Sequence, residues 1–543
     1  MRFLTVATFA AALAVAGAAR AGEPSIWVKC DGLPKPESLG AQTAKLGATI
    51  LTGGFYGLTI EEGGQPYEGQ AGVEACTAAL ADPALGPFWE RRVSLLRSRA
   101  LHAVEAGDPE AGLKDLEATR AAGQGHVDDV AFNRSLGVST KLFEAALLVK
   151  RGRLEEAQRL AVEAADARPY SAKIQGLSTA LLAIDPAYDA DEERVLSRRA
   201  RLDPDGLSAR ALAREWGDPP GAADDWLAVV EGLRGLKPEG RLLVESMQYE
   251  DGSAVRLPIP LARTALAAAR TGRVDQARAL LAELDALKPW APDVMPRNKY
   301  QAARATSTME RSKLALERAS SFRPLTDAWL LAREGKYAQA SAMIEQRMPA
   351  EPAAFDLVRF VNKGLGRSPT MIDKAQEDLR TTIRDRRAAD LVVLAYARSL
   401  PLLEVTRRSG HKLEKPMSGL DGRDWAIKTG GRGIQVDGYH GMAVAEELAL
   451  LRAAQITRTA GAPRFLVVDR RDFERYFTSA YAPRVAPDNP NPQSVETVSE
   501  IVLLPGAAPP PEYAARASLA LDAEQVWAAL SPVYLDSDSA GGK

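Results

Sequence analysis

From about residue 88 to residue 405, apolar residues return at the three-to-four spacing of a helix face, and three stretches do so on one skeleton. The first runs Ala145, Gly152, Ala157, Ala164, Pro169; the second Ala265, Gly272, Ala277, Leu284, Pro289; the third Ala328, Gly335, Ala340, Arg347, Pro352. Each has a small residue seven before its glycine, a basic-apolar pair directly after it (Arg153-Leu154, Arg273-Val274, Lys336-Tyr337), an alanine five after it and a proline seventeen after it. Arg99-Ala100 to Gly107 opens a looser copy, with Gly112 in the alanine position and Gln124 in the proline position.

The skeleton predicts paired helices. Glycine adopts the left-handed conformation that ends a helix and allows a tight reversal. Alanines let two helix backbones approach closely. Leu154, Ala157, Leu160, Ala161 and Ala164, or Val274, Ala277, Leu280, Leu281 and Leu284, mark a buried stripe on the second helix, and the proline stops it. The pattern resembles the tetratricopeptide repeat, which implies a solenoid of stacked helix pairs with a concave binding face. Off-pattern helical stretches such as Glu192 to Pro204 join the copies, and Asp218 with Pro219-Pro220 marks a place for a kink or a division between residues 171 and 258.

By that resemblance the first helix of each pair lines the groove, and the residue two before the glycine can face it. Lys150, Arg270 and Arg333 hold that position and Glu105 holds it in the loose copy, while Leu266 and Trp329 lie four residues earlier on the same helix faces. The resemblance thus implies a basic column with apolar neighbours, suited to the carboxylate of a peptide or protein of the cell envelope. The alternative for the three basic residues is ordinary helix-end charge facing water.

After the apolar run Leu391 to Val405 the periodicity changes. Asp424 to Lys428 and Gly433 to Val436 alternate as a strand pair around Gly430-Gly431; a helix is expected from Ala443 to Thr459, ended by Gly461. Arg464 to Asp469 reads as a buried strand, Val495 to Leu504 as another, and Asp522 to Leu530 as a last helix. The run from Gly438-Tyr439 through Glu446-Glu447-Leu448-Ala449-Leu450-Leu451-Arg452-Ala453-Ala454 to Gly461 and Phe465-Leu466-Val467-Val468-Asp469 resembles the C-terminal domain of a family of small bacterial envelope lipoproteins of uncharacterised role. That resemblance covers only this short stretch, brings no catalytic residues, and stops short of membrane anchoring because the lipid-modified cysteine is missing. Read from the residues alone, it is a helix packed on a sheet with Leu448, Leu451 and Ala454 inward.

The N-terminus adds an address. Arg2, an uncharged apolar stretch from Leu4 to Ala18, and Ala19-Arg20-Ala21 form a secretory signal with cleavage expected after Ala21, so the mature chain is expected in the periplasm or secreted, without a membrane span. Cys30 and Cys76 are the only cysteines, and in an oxidising compartment they are expected to pair, closing a glycine-containing segment with few helix signals.

With 46% apolar and 26% charged residues among 543, the chain has the composition of a globular protein. Loss of Arg2 and Arg20 with the signal takes the formal charge from −2 to −4, which excludes nucleic-acid binding through bulk positive charge. The expected organisation is a signal over 1–21, an N-terminal segment with the disulfide over 22–87, a helical solenoid over 88–405, a linker over 406–414, a small α/β (α+β) domain over 415–535 and a disordered tail over 536–543.

Catalytic chemistry has few candidates. His102, His126, His411 and His440 include no pair at the spacing of a helical metal site, and neither a nucleophile elbow nor a phosphate loop occurs, so no metal or cofactor is expected. Tyr439 and His440 beside the glycine turn, with Asp469 and Arg470 at the end of a buried strand, form the one alternative cleft. The mainly helical fold class therefore points to a protein- or peptide-binding scaffold and not an enzyme. The alternative is an envelope-acting hydrolase whose site lies where solenoid and C-terminal domain meet.

Overall fold

The computed structural model describes residues 24–36, 66–86, 88–126, 129–186, 188–243, 248–344, 351–368, 370–390, 417–418, 424–430, 442–475, 494–506 and 509–535. The signal segment, the 406–414 linker, the strand expected at Gly433 to Val436, Tyr439, His440 and the 536–543 tail lie outside them. The chain divides into two compact units, one reaching Leu147 and the other beginning at Leu148.

The first unit begins with α1 (Ile26–Asp31), α2 (Gly69–Ala81), α3 (Trp89–Glu105), α4 (Pro109–Gly123) and α5 (Asp129–Arg134), and α6 (Leu136–Lys150) starts within it. Cys30 and Cys76 are joined, as expected, and both are fully buried beside Trp27, Ala79, Leu85 and Leu95. Both cysteines sit on helices; most of the glycine-containing segment between them, with Gly53-Gly54 and Gly63-Gly64, lies outside the described residues. Helices α3 and α4 pack as a pair. Gly112 stands where they pack closely: a Cβ there would lie 3.0 Å from the Ala100 carbonyl oxygen, a tight fit for the alanine that the other copies carry.

The second unit continues through α7 (Leu154–Ala167), α8 (Ala172–Leu182), α9 (Ala190–Leu202), α10 (Gly206–Gly217) and α11 (Pro219–Arg234). A two-stranded antiparallel hairpin, β1 (Arg241–Leu243) with β2 (Gln248–Glu250), interrupts the helices before α12 (Ser253–Arg256), α13 (Pro258–Arg270), α14 (Val274–Ala286), α15 (Lys299–Ser320), α16 (Arg323–Arg333), α17 (Tyr337–Ile344), α18 (Pro352–Gly364) and α19 (Thr370–Asp390). Consecutive helices from α7 to α11 pack on one another. Pro219-Pro220 opens α11 at its first turn, capped by Asp218, and so makes a new helix within the packed series.

The skeleton glycines behave as the spacing requires. Gly107, Gly152, Gly272 and Gly335 have φ of 85°, 70°, 83° and 78°. At each, the glycine N–H donates to the carbonyl three residues back and the next N–H to the carbonyl five residues before it, at 2.8 to 3.2 Å. This double cap satisfies the last carbonyls of the first helix and turns the chain. The stripe is buried at Ala157, Ala161, Ala164, Ala277, Leu280, Leu281 and Leu284, whereas Leu154, Leu160 and Val274 are only partly covered.

The C-terminal part belongs to the same compact unit. Its strands, β3 (Met417–Ser418), β4 (Asp424–Gly430), β5 (Arg464–Arg475), β6 (Ser494–Leu504) and β7 (Leu521–Asp522), form an antiparallel sheet in the order β3-β4-β6-β5-β7. The domain is therefore α+β, and β4 pairs with β3 and β6. Helix α20 (Met442–Thr459) packs on one sheet face together with α21 (Ala523–Tyr534), through Phe465, Val467, Ile501 and Val526. Leu466, Val502 and Leu504 on the other face join the core of the helical array. Leu451 and Ala454 are buried as expected, and Leu448 is partly covered.

Candidate functional site

Strand β5 carries one irregularity that decides which of its charges go inside. Phe465 and Val467 point toward α20 while Leu466 points to the array, as a period of two requires. Unbroken alternation would next send Asp469 inward. Instead Val467 pairs with Ile501 and Asp469 with Glu500, leaving Val468 as an extra residue in a β-bulge. The bulge shifts the phase by one, so Arg470, opposite Ser499, and Asp472, opposite Thr497, share the face of Phe465 and Val467. Asp469 is turned away and pairs with Arg471 at 3.2 Å.

The inward Arg470 donates to Glu446 of α20 and, at 2.8 Å, to Asp472. Glu446 is 1% exposed. Its carboxylate also accepts from the Ser171 hydroxyl at 2.7 Å and from the Lys173 backbone N–H at 3.1 and 3.2 Å, so it sits at the N-terminus of α8. Ser171 caps that same helix by accepting from the Ile174 N–H. Burial pushes the Glu446 carboxyl up, against the pull of Arg470. Burial works against the Arg470 charge, yet Glu446 and Asp472 hold the guanidinium above its ordinary range.

Glu447 forms the second half of the cluster and is fully buried. Arg168 reaches its Oε1 with Nε at 3.2 Å and its Oε2 with Nη2 at 2.9 Å, and the Tyr534 hydroxyl of α21 donates to that same Oε2. Arg168 immediately precedes Pro169, the proline that closes the first repeat copy. Thus the turn Arg168 to Lys173 of the helical array receives two adjacent carboxylates from α20, with Arg470 and Tyr534 completing the set. Bidentate and charge-assisted bonds saturate these groups, and their burial closes them to solvent.

The expected basic column divides. Arg333 donates to the Arg270 carbonyl oxygen and to that of Ala269 at 3.3 Å, so these two are neighbours. Arg270 pairs with Asp356 of α18 and donates to the Glu215 carbonyl at 2.8 Å. Arg333 lies over the Phe360 ring of α18 at 4.6 Å and over Trp329 at 5.2 Å. Trp329 and Leu266 are core residues, and the Trp329 indole N–H donates to the Ala353 carbonyl at 3.0 Å. Lys150 contacts a different element, donating to the Ala388 carbonyl of α19 at 3.2 Å. Glu105 accepts from the Gly69 N–H at 3.0 Å and faces the buried His102 ring. The Arg270 and Arg333 side chains thus hold α18 against α13 and α16.

Of the alternative cleft, Arg470 meets a buried carboxylate, Asp469 faces the other side of the sheet, and Tyr439 and His440 lie outside the described residues. Sequence reasoning passed over Arg168, Ser171, Glu446, Glu447 and Tyr534. One signal was present: Glu446-Glu447 interrupts a helix whose other residues from Met442 to Leu451 are apolar, so an all-round buried helix had to bury them too. No family model matches the chain, and no curated protein is significantly similar to it in sequence.

Proposed function

We propose that this chain is an exported binding scaffold of the cell envelope, in which tetratricopeptide-like helix pairs present an extended surface to a protein or peptide. The carrying observation is the recurrence of one glycine-capped helix junction at Gly107, Gly152, Gly272 and Gly335 in a mainly helical array. Arrays of this kind use their length as a binding surface. The Cys30–Cys76 disulfide supports an oxidising, extracytoplasmic location. Helix α18 lies on Arg270 and Arg333, so these two residues serve the array, and the partner is taken on faces outside that contact.

The test is crosslinking of the purified mature protein in an envelope extract, followed by titration of any captured protein in purified form. A saturable complex with the native chain, absent from a heat-unfolded control, is the expected result. Capture of nothing beyond that control, or turnover of envelope-derived peptide or glycan by the native chain, overturns the scaffold reading. Mass analysis of the exported product, expected to begin at Gly22, tests the address separately.

A further inference from the structure

The connection between α14 and α15 stays out of the core. No residue from Asp285 to Arg304 is buried, although α14 before it and α15 after it each bury a stripe. The first residue of α15 to enter the core is Ala305. The start of that helix and the loop before it therefore project from the body of the unit. The base is held: the Trp290 N–H donates to the Ser312 hydroxyl at 3.0 Å, and Asn298 caps α15 by accepting from the Tyr300 and Gln301 N–H groups.

The projecting part carries the wrong side chains for a solvated loop. Val294 is 82% exposed, Tyr300 68% and Met295 46%. Around them Lys288, Arg297 and Lys299 stand against Asp293, while Asp285 at the base pairs with Arg323, in a chain whose total formal charge is negative. Lys299 lies 5.0 Å from the centre of the Tyr300 ring.

We propose that this tip docks on an anionic lipid surface, with Val294 and Met295 entering the headgroup region, Tyr300 at the interface and the basic collar against lipid phosphates. Three features select lipid over a peptide. The apolar residues are exposed on a segment that buries none of its residues; an aromatic residue follows the aliphatic pair five positions on, the residue type of interfacial anchors; and the charge complements an anionic surface. The proposal stands apart from the scaffold reading, which concerns the helix pairs.

The experiment is cosedimentation of the full mature protein with vesicles of phosphatidylglycerol and phosphatidylcholine in equal parts, and with phosphatidylcholine alone, at about 0.1 M salt. The parent is expected to sediment with the anionic vesicles and remain in solution with the neutral ones. Arg297→Gln with Lys299→Gln should lower the partition coefficient by roughly 25-fold, about fivefold for each basic residue removed from the surface. Val294→Ser, Met295→Ser and Tyr300→Ser combined should lower it more than about tenfold. These positions are exposed, and unchanged circular dichroism confirms that the variants fold. Parent protein left in solution with both vesicles, or variants that sediment like the parent, overturns the proposal. So does retention on immobilised polyglutamate without vesicle binding, which would assign the tip to an acidic protein segment, or protection of the tip in a dimer of this chain.

Discussion

Arg470 reaches Glu446 because Val468 does not take part in the strand pairing. Without that extra residue Asp469 would take the inward place that Arg470 now holds opposite Glu446, and Arg471 would follow where Asp472 now lies. The bulge exchanges an acid for a base at the one point where a base is needed. It thereby joins β5, α20 and the N-terminus of α8 through a single carboxylate.

Removing one member of that set should be costly. Arg470→Ala leaves Glu446 buried and, with Asp472, short of a counter-charge, so a loss of about 3–5 kcal/mol is expected in urea unfolding. Arg470→Met combined with Glu446→Gln should recover a large part of that loss. Equal destabilisation by the single and double variants would show that the two residues do not act as a pair.

Tyr534 provides a finer test. Tyr534→Phe removes only the hydroxyl that donates to Glu447, while Arg168 keeps its two contacts to that carboxylate. A cost of about 1.5–3 kcal/mol is expected, the range for a hydrogen bond to a charged group. Arg168→Ala, which removes both charge-assisted contacts of the guanidinium to Glu447, should cost more than Tyr534→Phe in the same urea titration.

The disulfide should matter for the first unit. Its cysteines are separated by 46 residues, and on the loop-entropy relation a bridge of that span contributes about 4 kcal/mol. Reduction, or Cys30→Ser with Cys76→Ser, is expected to make the segment around Trp27 and Leu85 the first to be cut in limited proteolysis. Protection against cleavage from Leu148 onward should change little.

Glu192 makes the stability of the array fall as pH rises from mildly acid to about 8. Burial, reinforced by Asp189 and Asp185 and opposed by Arg387, pushes its carboxyl from 4.5 up to about 8. A carboxyl raised on folding favours the folded state while it is protonated. Its contribution is complete below about pH 4.5 and is lost as pH rises toward 8, at up to about 1.4 kcal/mol per pH unit. Glu192→Gln, compared with the parent by urea midpoints at several values across that window, should reduce the decline. Since Asp203, Glu215 and Glu446 are also raised by burial, the difference between the two proteins is the quantity that reports on Glu192. Parallel pH profiles would contradict the assignment.

Local rules made much of the fold readable in advance. Glycine at the end of an apolar helix, a basic residue after it and an alanine five on are consequences of backbone sterics and close helix contact, so Gly152, Gly272 and Gly335 announced their helix junctions. The pairing of Cys30 with Cys76 followed from there being no other cysteine. Helix α20 and strands β5 and β6 were visible from their periods. The candidate site was read less well. Leu266 and Trp329 were taken as groove residues from the repeat register, but α18 covers that face, and Trp329 spends its indole N–H on Ala353. A register says which face of a helix is apolar. It does not say whether the chain itself will return to cover it.

What the sequence determined alone was thus whatever depends on neighbours a few residues away: helix ends, helix faces, strand periods and the sole possible disulfide. The tertiary structure decided the rest, namely that the sheet shares one compact unit with the helices from Leu148, that α18 engages Arg270 and Arg333, and that Glu446 and Glu447 find Arg470 and Arg168. Those outcomes pair charges up to 279 residues apart and depend on a single unpaired residue, Val468, to set the phase. Local propensity carries no record of such distant partners, because an ion pair inside a protein is stable only after the whole surrounding core has excluded water.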